Sequence, residues 1–321
     1  MSMPLFDTED HAPPQAARLA PKLKALAERG VYLGTSSWKY EGWLGSIYDE
    51  SRYRTRGRFS RKKFEEECLA EYARTFPCVC GDFAFYQFPT DEHWARLFAA
   101  TPDDFLFAFK VPEDITVPRW PTHARYGTRG GRENEGFLRA DLFTEFFASR
   151  LEPYGDRVAT LIFEFGTFNK STFPTPGHFY ERLEPFLFAL PGGFRHAIEI
   201  RNADYLGDAY FELLTSYNVA HCFNAWTRMP SIADQLAMPG SITADFTVAR
   251  ALLPKGRAYE QAVAALEPYE RVKEPNPEVR SALADLAREA TPIRPTYAFI
   301  NNRLEGNAPT TIEAVVESLG E

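Results

Sequence analysis

Residues 158–165, VATLIFEF, and residues 196–202, HAIEIRN, are apolar runs of strand length, each with a glutamate near its C-terminal end: Glu164 and Glu199. An acid inside so apolar a run needs a partner or a wet cavity, because an unpaired buried charge is strongly disfavoured. Six further runs punctuate the chain at near-regular intervals: Val31–Ser36, Val79–Phe85, Phe105–Phe109, Val219–Phe223, Ile242–Val248 and Thr296–Ile300. Helix-like segments separate them, and a strand alternating with a helix eight times over predicts a single α/β barrel of the (β/α)8 type. In that fold every strand points its C-terminal end at one face, where the chemistry collects. The residues at those ends are Ser36, Tyr86, Lys110, Glu164, Glu199 with Arg201, Asn224, Arg250, and Asn301 with Asn302.

Length and composition agree with this reading. A chain of 321 residues suits one barrel with insertions, and no compositional break divides it. Residues 1–30 read as an N-terminal arm, loose to about residue 14, followed by a helix that ends at Gly30, a residue able to adopt the left-handed cap. Residues 31–321 read as the barrel. The 27 Phe and 15 Tyr require a large aromatic interior. A long loop at Val111–Glu135, broken by Pro and Gly, is expected to overhang the C-terminal face. A second, mostly helical insertion is expected over Ala258–Ala290. The segment Asp49–Ser60 reads as polar and flexible.

The formal net charge of −8 disfavours a generally adhesive nucleic-acid binder. Two stretches run against it: residues 52–63 hold Arg52, Arg54, Arg56, Arg58, Arg61, Lys62 and Lys63 without an acid, and Arg119, Arg125, Arg129 and Arg132 lie in another. The four cysteines, Cys68, Cys78, Cys80 and Cys222, show neither CxxC nor zinc-site spacing, so reduced thiols are expected. The start of the chain lacks a signal-peptide pattern and no run reaches the roughly 18 apolar residues of a membrane span. A cytoplasmic location without membrane contact is the expectation. The histidines show no HxH or HExxH spacing, and neither GxSxG nor a phosphate-cradling glycine loop occurs, so no metal site is indicated and no cofactor is identified.

The chemistry rests on the strand tips. Neighbouring strands lie about 5 Å apart, so Glu164 and Glu199 share a pocket if their side chains have the same parity. One carboxyl with a raised pKa would then act as acid beside an ionised partner; an interior ion pair is the structural alternative, strongest for Glu199 with Arg201, two apart on one strand. Lys110 and Arg250 can hold an anion or pair with acids. Asn301 and Asn302 can orient hydroxyls or shape a turn. Trp38, Tyr40, Trp43 and Tyr48, with Phe85 and Tyr86, can form an aromatic wall at the mouth or pack in the core.

Taken in order, GTSSWKY with Trp43, EYARTFPCVCGDFAFY, FLFAFK, LIFEFG, AIEIRN and INNRLEGNA resemble the YecE-like family, domain-of-unknown-function family 72, over about residues 31–319. The resemblance implies a TIM-type barrel and a shared pocket, without an established activity. It supports Gly34, Thr35, Ser36, Trp38, Phe85, Tyr86, Lys110, Glu199, Arg201, Arg250, Asn301 and Asn302 as pocket positions. This chain departs from the family pattern at Cys80 and Asp82, at Glu164 where glutamine is usual, and at Asn224 where aspartate is usual.

The sequence thus supports a pocket for a small anionic or polyhydroxylated ligand, sugar or sugar-phosphate in kind. Glu164 and Glu199 are the candidate catalytic groups, and Ser36, Trp38, Asp82, Tyr86, Lys110, Arg201, Asn224, Arg250, Asn301 and Asn302 the candidate binding groups. A catalytic version would be a metal-independent hydrolase or isomerase. Nucleic-acid binding through the basic loops and a non-catalytic binding protein are the alternatives.

Overall fold

The computed structural model describes residues 12–320, so the arm expected over residues 1–14 falls almost wholly outside the described residues. Eight parallel strands close into a barrel: β1 (Val31–Thr35), β2 (Cys78–Gly81), β3 (Leu106–Lys110), β4 (Val158–Phe165), β5 (His196–Ile200), β6 (Ala220–Ala225), β7 (Thr247–Ala251) and β8 (Thr296–Ile300). Each pairs with its neighbour in sequence, and β1 closes the ring against β8 along its whole length. Helix α1 (Pro14–Glu28) precedes β1 and packs on it through Leu19, Leu23 and Leu26. Gly30 takes φ +85° behind that helix, the left-handed conformation expected of it. Helix α2 (Arg61–Tyr72) follows β1 and helix α3 (Asp91–Ala99) follows β2.

Most of the aromatic residues lie outside the barrel. Trp43, Tyr48, Tyr53, Phe64, Trp94, Phe98, Phe107 and Phe163 fill the layer between strands and helices. The barrel's own interior is lined mainly by small residues, among them Cys78, Cys80, Ala108, Ala159, Ala197, Ala220 and Cys222, with Phe299 and Tyr297 from β8. Inward positions are thus narrow, which leaves the upper barrel free for long charged side chains. At Gly34 an added Cβ would fall 2.2 Å from the Cys78 carbonyl oxygen, so β1 approaches the β2 chain more closely than any side chain would permit.

Two expected strands are misplaced by the sequence reading. The second stops at Gly81 rather than reaching Phe85: Asp82 turns to φ −83°, ψ −13°, and Phe83–Tyr86 form a 3-10 turn. The seventh runs over Thr247–Ala251 rather than Ile242–Val248. Thr243 is instead spent on side-chain bonds, donating to the Val219 carbonyl and accepting from the His221 amide. The shift matters, because Arg250 becomes an inward-facing residue within β7 instead of a loop residue beyond it.

The two unusual loops are more ordered than their composition suggested. Residues 111–135 contain a helical turn at Glu113–Thr116 and a 3-10 segment at Ala124–Arg129, tied by the Trp120 amide to the Arg132 carbonyl. Residues 50–59 form a 3-10 turn and a two-stranded hairpin, anchored by buried Tyr53, whose hydroxyl donates to Glu71. The insertion after β7 carries helices Tyr259–Leu266 and Pro277–Arg288, and the segment after the first long loop is a helix interrupted by a π turn at Thr144–Ala148.

Candidate functional site

Strand register answers the parity question. Glu164 and Glu199 are direct partners across the β4–β5 pair, so their side chains leave the sheet on the same side. Asn224 and Arg250 are partners across β6–β7 in the same way. Lys110 projects from the last residue of β3 and Asp82 from the turn that ends β2. Arg201 follows β5 directly. Six ionisable groups, drawn from the ends of five strands, meet at the C-terminal mouth.

One carboxylate oxygen is the hub. Glu164 Oε2 lies 2.9 Å from Lys110 Nζ, 2.8 Å from Arg201 Nη2 and 2.7 Å from Arg250 Nη1. Arg250 Nη1 also donates to Glu199, and its Nη2 donates to Asp82 Oδ1 at 3.2 Å. Arg201 donates from Nε to Glu199 Oε1 at 3.0 Å, and its Nη2 lies at the same distance from that oxygen. Three cations meet three acids, so the group is formally neutral. It is graded in depth: the side chains of Glu199 and Arg250 are 0% and 2% exposed, whereas that of Asp82 is 37% exposed. Aromatic rings cover the remaining faces of two cations, with Phe85 3.7 Å from Lys110 Nζ and Trp226 3.7 Å from the Arg201 guanidinium.

Electrostatics define the state of these groups. Burial pushes the Glu164 carboxyl upward, but Arg201, Lys110 and Arg250 together outweigh it and hold the group well below the ordinary carboxylate range. The three cations thus favour the ionised form of Glu164, so of the two carboxyls it is not the one whose pKa is raised. A carboxylate so stabilised is a weak base and serves best as an anchor that accepts hydrogen bonds. Burial raises the Cys80 thiol to about 12 despite nearby Arg250 and Lys110, so it is not a thiolate nucleophile.

The other expected site residues divide. Asn224 is fully buried and donates to the Ile200 and Cys222 carbonyls, while its Oδ1 has no partner. Asn301 donates to Ser36 Oγ at 2.7 Å and accepts from the Arg303 amide, so these two residues hold each other and the β8 loop. Asn302 accepts from the Ala308 amide at 2.7 Å and leaves its Nδ2 unpartnered. Turn formation thus engages both asparagines, leaving one amide group for any hydroxyl. Tyr86 is 53% exposed and stacks on Arg125, away from the ionic cluster. Trp43 and Tyr48 are wholly buried in the layer beneath the β1 loop, leaving Trp38 as the member of that motif nearest the mouth.

Both basic stretches carry their own counter-ions. Arg54 pairs with Glu50, Arg61 with Glu41 and Glu65, Lys62 with Glu66 and Lys63 with Glu67. In the long loop Arg119 meets Glu133, Arg125 meets Glu113 and Arg129 meets Asp114. Most of these acids lie outside the stretches themselves, which is why a local charge count overlooked them.

Sequence reading missed two groups. Trp226, just after β6, caps Arg201, and Lys39, His93 and Arg96 line a cavity of about 660 Å³ that shares Asp82 with the cluster. Trp226 stands at a strand tip but is apolar, and a search for polar tips passed over it; His93 and Arg96 lie on a helix, where no strand-tip search reaches. Among the described residues, no group of three or more His, Cys, Asp or Glu side chains is arranged to hold a metal ion, and no helix is long and apolar enough to cross a membrane.

Fold and site together define an eight-stranded β/α barrel protein with an ionic cluster at its C-terminal mouth. The chain belongs to the family described as protein of unknown function DUF72, whose model matches residues 32–321. It is 27% identical over 176 residues to the UPF0759 protein YecE of Escherichia coli K12, covering 54% of this chain; the chain spans about half the length of the curated relatives it matches. Among solved structures it resembles the DUF72 family protein TM1631 of Thermotoga maritima, with a TM-score of 0.60 at 21% identity, covering 91% of this chain and 99% of that one. The DUF72 family protein EF0366 of Enterococcus faecalis V583 gives 0.59 at 16% identity, covering 91% and 96%. At these identities the two structures speak for the fold alone.

Proposed function

We propose that the barrel mouth binds a small polyhydroxylated molecule, a sugar or a close relative, through the ionic cluster. The observation that carries this reading is the neutral sum of the cluster around one shared oxygen, Glu164 Oε2. Lys110, Arg201 and Arg250 are already matched by acids, so the cluster offers a free anion little net attraction. A hydroxyl fits better, because it accepts from a guanidinium or ammonium while donating to a carboxylate. Unpartnered Asn224 Oδ1 and Arg250 Nε are further polar valences in the same group, and buried polar atoms of that kind point to water or a ligand. Phe85, Trp226 and Trp38 supply apolar faces for the carbon side of a sugar ring.

In a catalytic version Glu199 would accept a proton while Lys110 and Arg201 stabilise the oxyanion that forms. Glu164, a weak base beside its three cations, would hold Lys110 and Arg201 in place, in a metal-independent hydrolase or isomerase. The four cysteines, all buried and unpaired, suit a reducing, cytoplasmic setting. Nucleic-acid binding ranks behind this reading, since the basic stretches that suggested it are laced with acids.

The test is a thermal-shift screen with aldoses, ketoses, polyols and inositols at millimolar concentration, followed by turnover assays on aldose–ketose pairs. Stabilisation by a polyol that disappears in Glu199→Gln supports the site. Conversion separates an enzyme from a non-catalytic binding protein. A folded protein that no polyhydroxylated compound stabilises would overturn the reading.

A further inference from the structure

The cavity of about 660 Å³ beside the cluster lies between α2 and α3. Asp82, Trp38 and Phe83 form its side nearest the barrel, and Lys39, His93 and Arg96 stand around the rest. Its charges are arranged unlike those of the cluster. Among the described residues neither Lys39 nor Arg96 has an ion pair: Lys39 Nζ lies 5.9 Å from the Trp38 ring centre, and Arg96 Nη2 lies 3.5 Å from His93 Nδ1. The acids that reach the same cavity already have cations of their own. Glu65 pairs with Arg61 at 2.9 Å, Glu66 with Lys62 at 3.9 Å, and Asp82 with Arg250 at 3.2 Å.

We propose that this cavity is a phosphate subsite, taking the phosphate monoester end of a ligand whose hydroxyls lie at the ionic cluster, with Asp82 standing between the two. The assignment of the hydroxyl end rests on the reading given above; the phosphate site itself rests on the cavity. Two cations without counter-ions in one partly enclosed space favour an anion through charge-assisted hydrogen bonds. Lys39, Arg96 and the His93 ring provide three donor groups, which match the three free oxygens of a monoester better than the two of a carboxylate. Leu69 and Leu97 lower the polarity of the walls and strengthen each of those bonds. A sugar phosphate would then be read in two parts, its neutral hydroxyls by a neutral cluster and its charge by cations left free.

The experiment is calorimetric titration of the full chain with inorganic phosphate and, separately, with acetate, for the native protein and for Lys39→Gln/Arg96→Gln. Both side chains are exposed, so the variant keeps its fold, which circular dichroism checks. Phosphate is expected to bind the native protein more tightly than acetate does, to bind the variant at least about tenfold more weakly, and to shift the His93 ring signals in NMR. Equal phosphate affinity in the two proteins, no phosphate binding, or binding that leaves His93 unmoved would each overturn the subsite. Hexoses and their monophosphates separate the two readings. Phosphate binding through Lys39 and Arg96 without binding of any free sugar would keep the subsite and overturn the sugar-binding mouth. Sugar binding with no preference for the phosphorylated form would do the reverse.

Discussion

Two buried acids at the top of the barrel face arginine, and they are built differently. Glu305, in the loop after β8, is fully buried and both of its oxygens are occupied: Arg280 donates from Nε and Nη2 at 2.9–3.1 Å, Thr311 Oγ1 at 2.5 Å, and the Asn276 amide completes the set. That arrangement is closed and joins the helix Pro277–Arg288 to the β8 loop. Glu164 instead gathers Lys110, Arg201 and Arg250 on one oxygen, in a group that still contains the unpartnered Asn224 Oδ1 and Arg250 Nε. A network built only to hold the fold gains by satisfying every member, because partial satisfaction in a low dielectric is unfavourable. This difference supports the proposal that the open cluster is a site and the closed one a joint.

The strongest way to break this contrast is to remove both acids in turn. Glu305→Ala leaves Arg280 facing a buried void and is expected to destabilise the protein by about 3–5 kcal/mol in urea unfolding, with no change in the ligand-induced thermal shift of the folded variant. Glu164→Gln keeps the shape, leaves three cations to two acids, and is expected to lose about 1–3 kcal/mol together with the polyol response. A Glu305 variant that loses the ligand response, or a Glu164 variant that keeps it, would erase the distinction.

Acid titration sharpens it further. Burial holds His196 down at about 4, and it does the same to His221 with a partial offset from the Gln235 hydrogen bond. Exposed imidazoles titrate near 6.5, so as pH falls the unfolded chain takes up these protons first. The stability is complete above about pH 6.5 and declines as pH falls from there towards 4. Glu164, also depressed by its surroundings, adds a loss in the same direction below about 4.3, the ordinary glutamate value. His196→Leu should make the upper part of that decline shallower, with His221 and His93, also held down, carrying the rest; an unchanged slope would show that the buried ring does not set it. The smallest effect is expected at the surface, where Lys62→Ala breaks an exposed pair with Glu66 at 3.9 Å and changes stability by less than about 0.5 kcal/mol.

Much of the barrel was legible because strand length and apolar content are local properties. The runs at Val31, Val158, His196 and Thr296 are strands that begin at those residues. Errors fell where a side chain competes with the backbone or where a glycine lets a ring fold back against the strand, as Phe83 does on Gly81. Thr243 turned its hydroxyl to neighbouring backbone groups ahead of β7, and Gly81 ended β2 before Phe83. Aromatic residues were identified as core formers, but not which side of the strands they would occupy.

Sequence alone determined that charged residues would stand at the ends of apolar strands, since nothing else in those runs tolerates exposure at the mouth. Tertiary structure decided which charges meet. Asp82 and Arg250 are 168 residues apart, and Glu164 and Arg250 are 86 apart. Only ring closure and strand register bring them within bonding distance, and the resulting pairing favours the ionised form of Glu164 and leaves the cluster formally neutral. Among the described residues Lys39 and Arg96 have no acid partner for the same reason: packing sets the cavity they line, which no local pattern encodes.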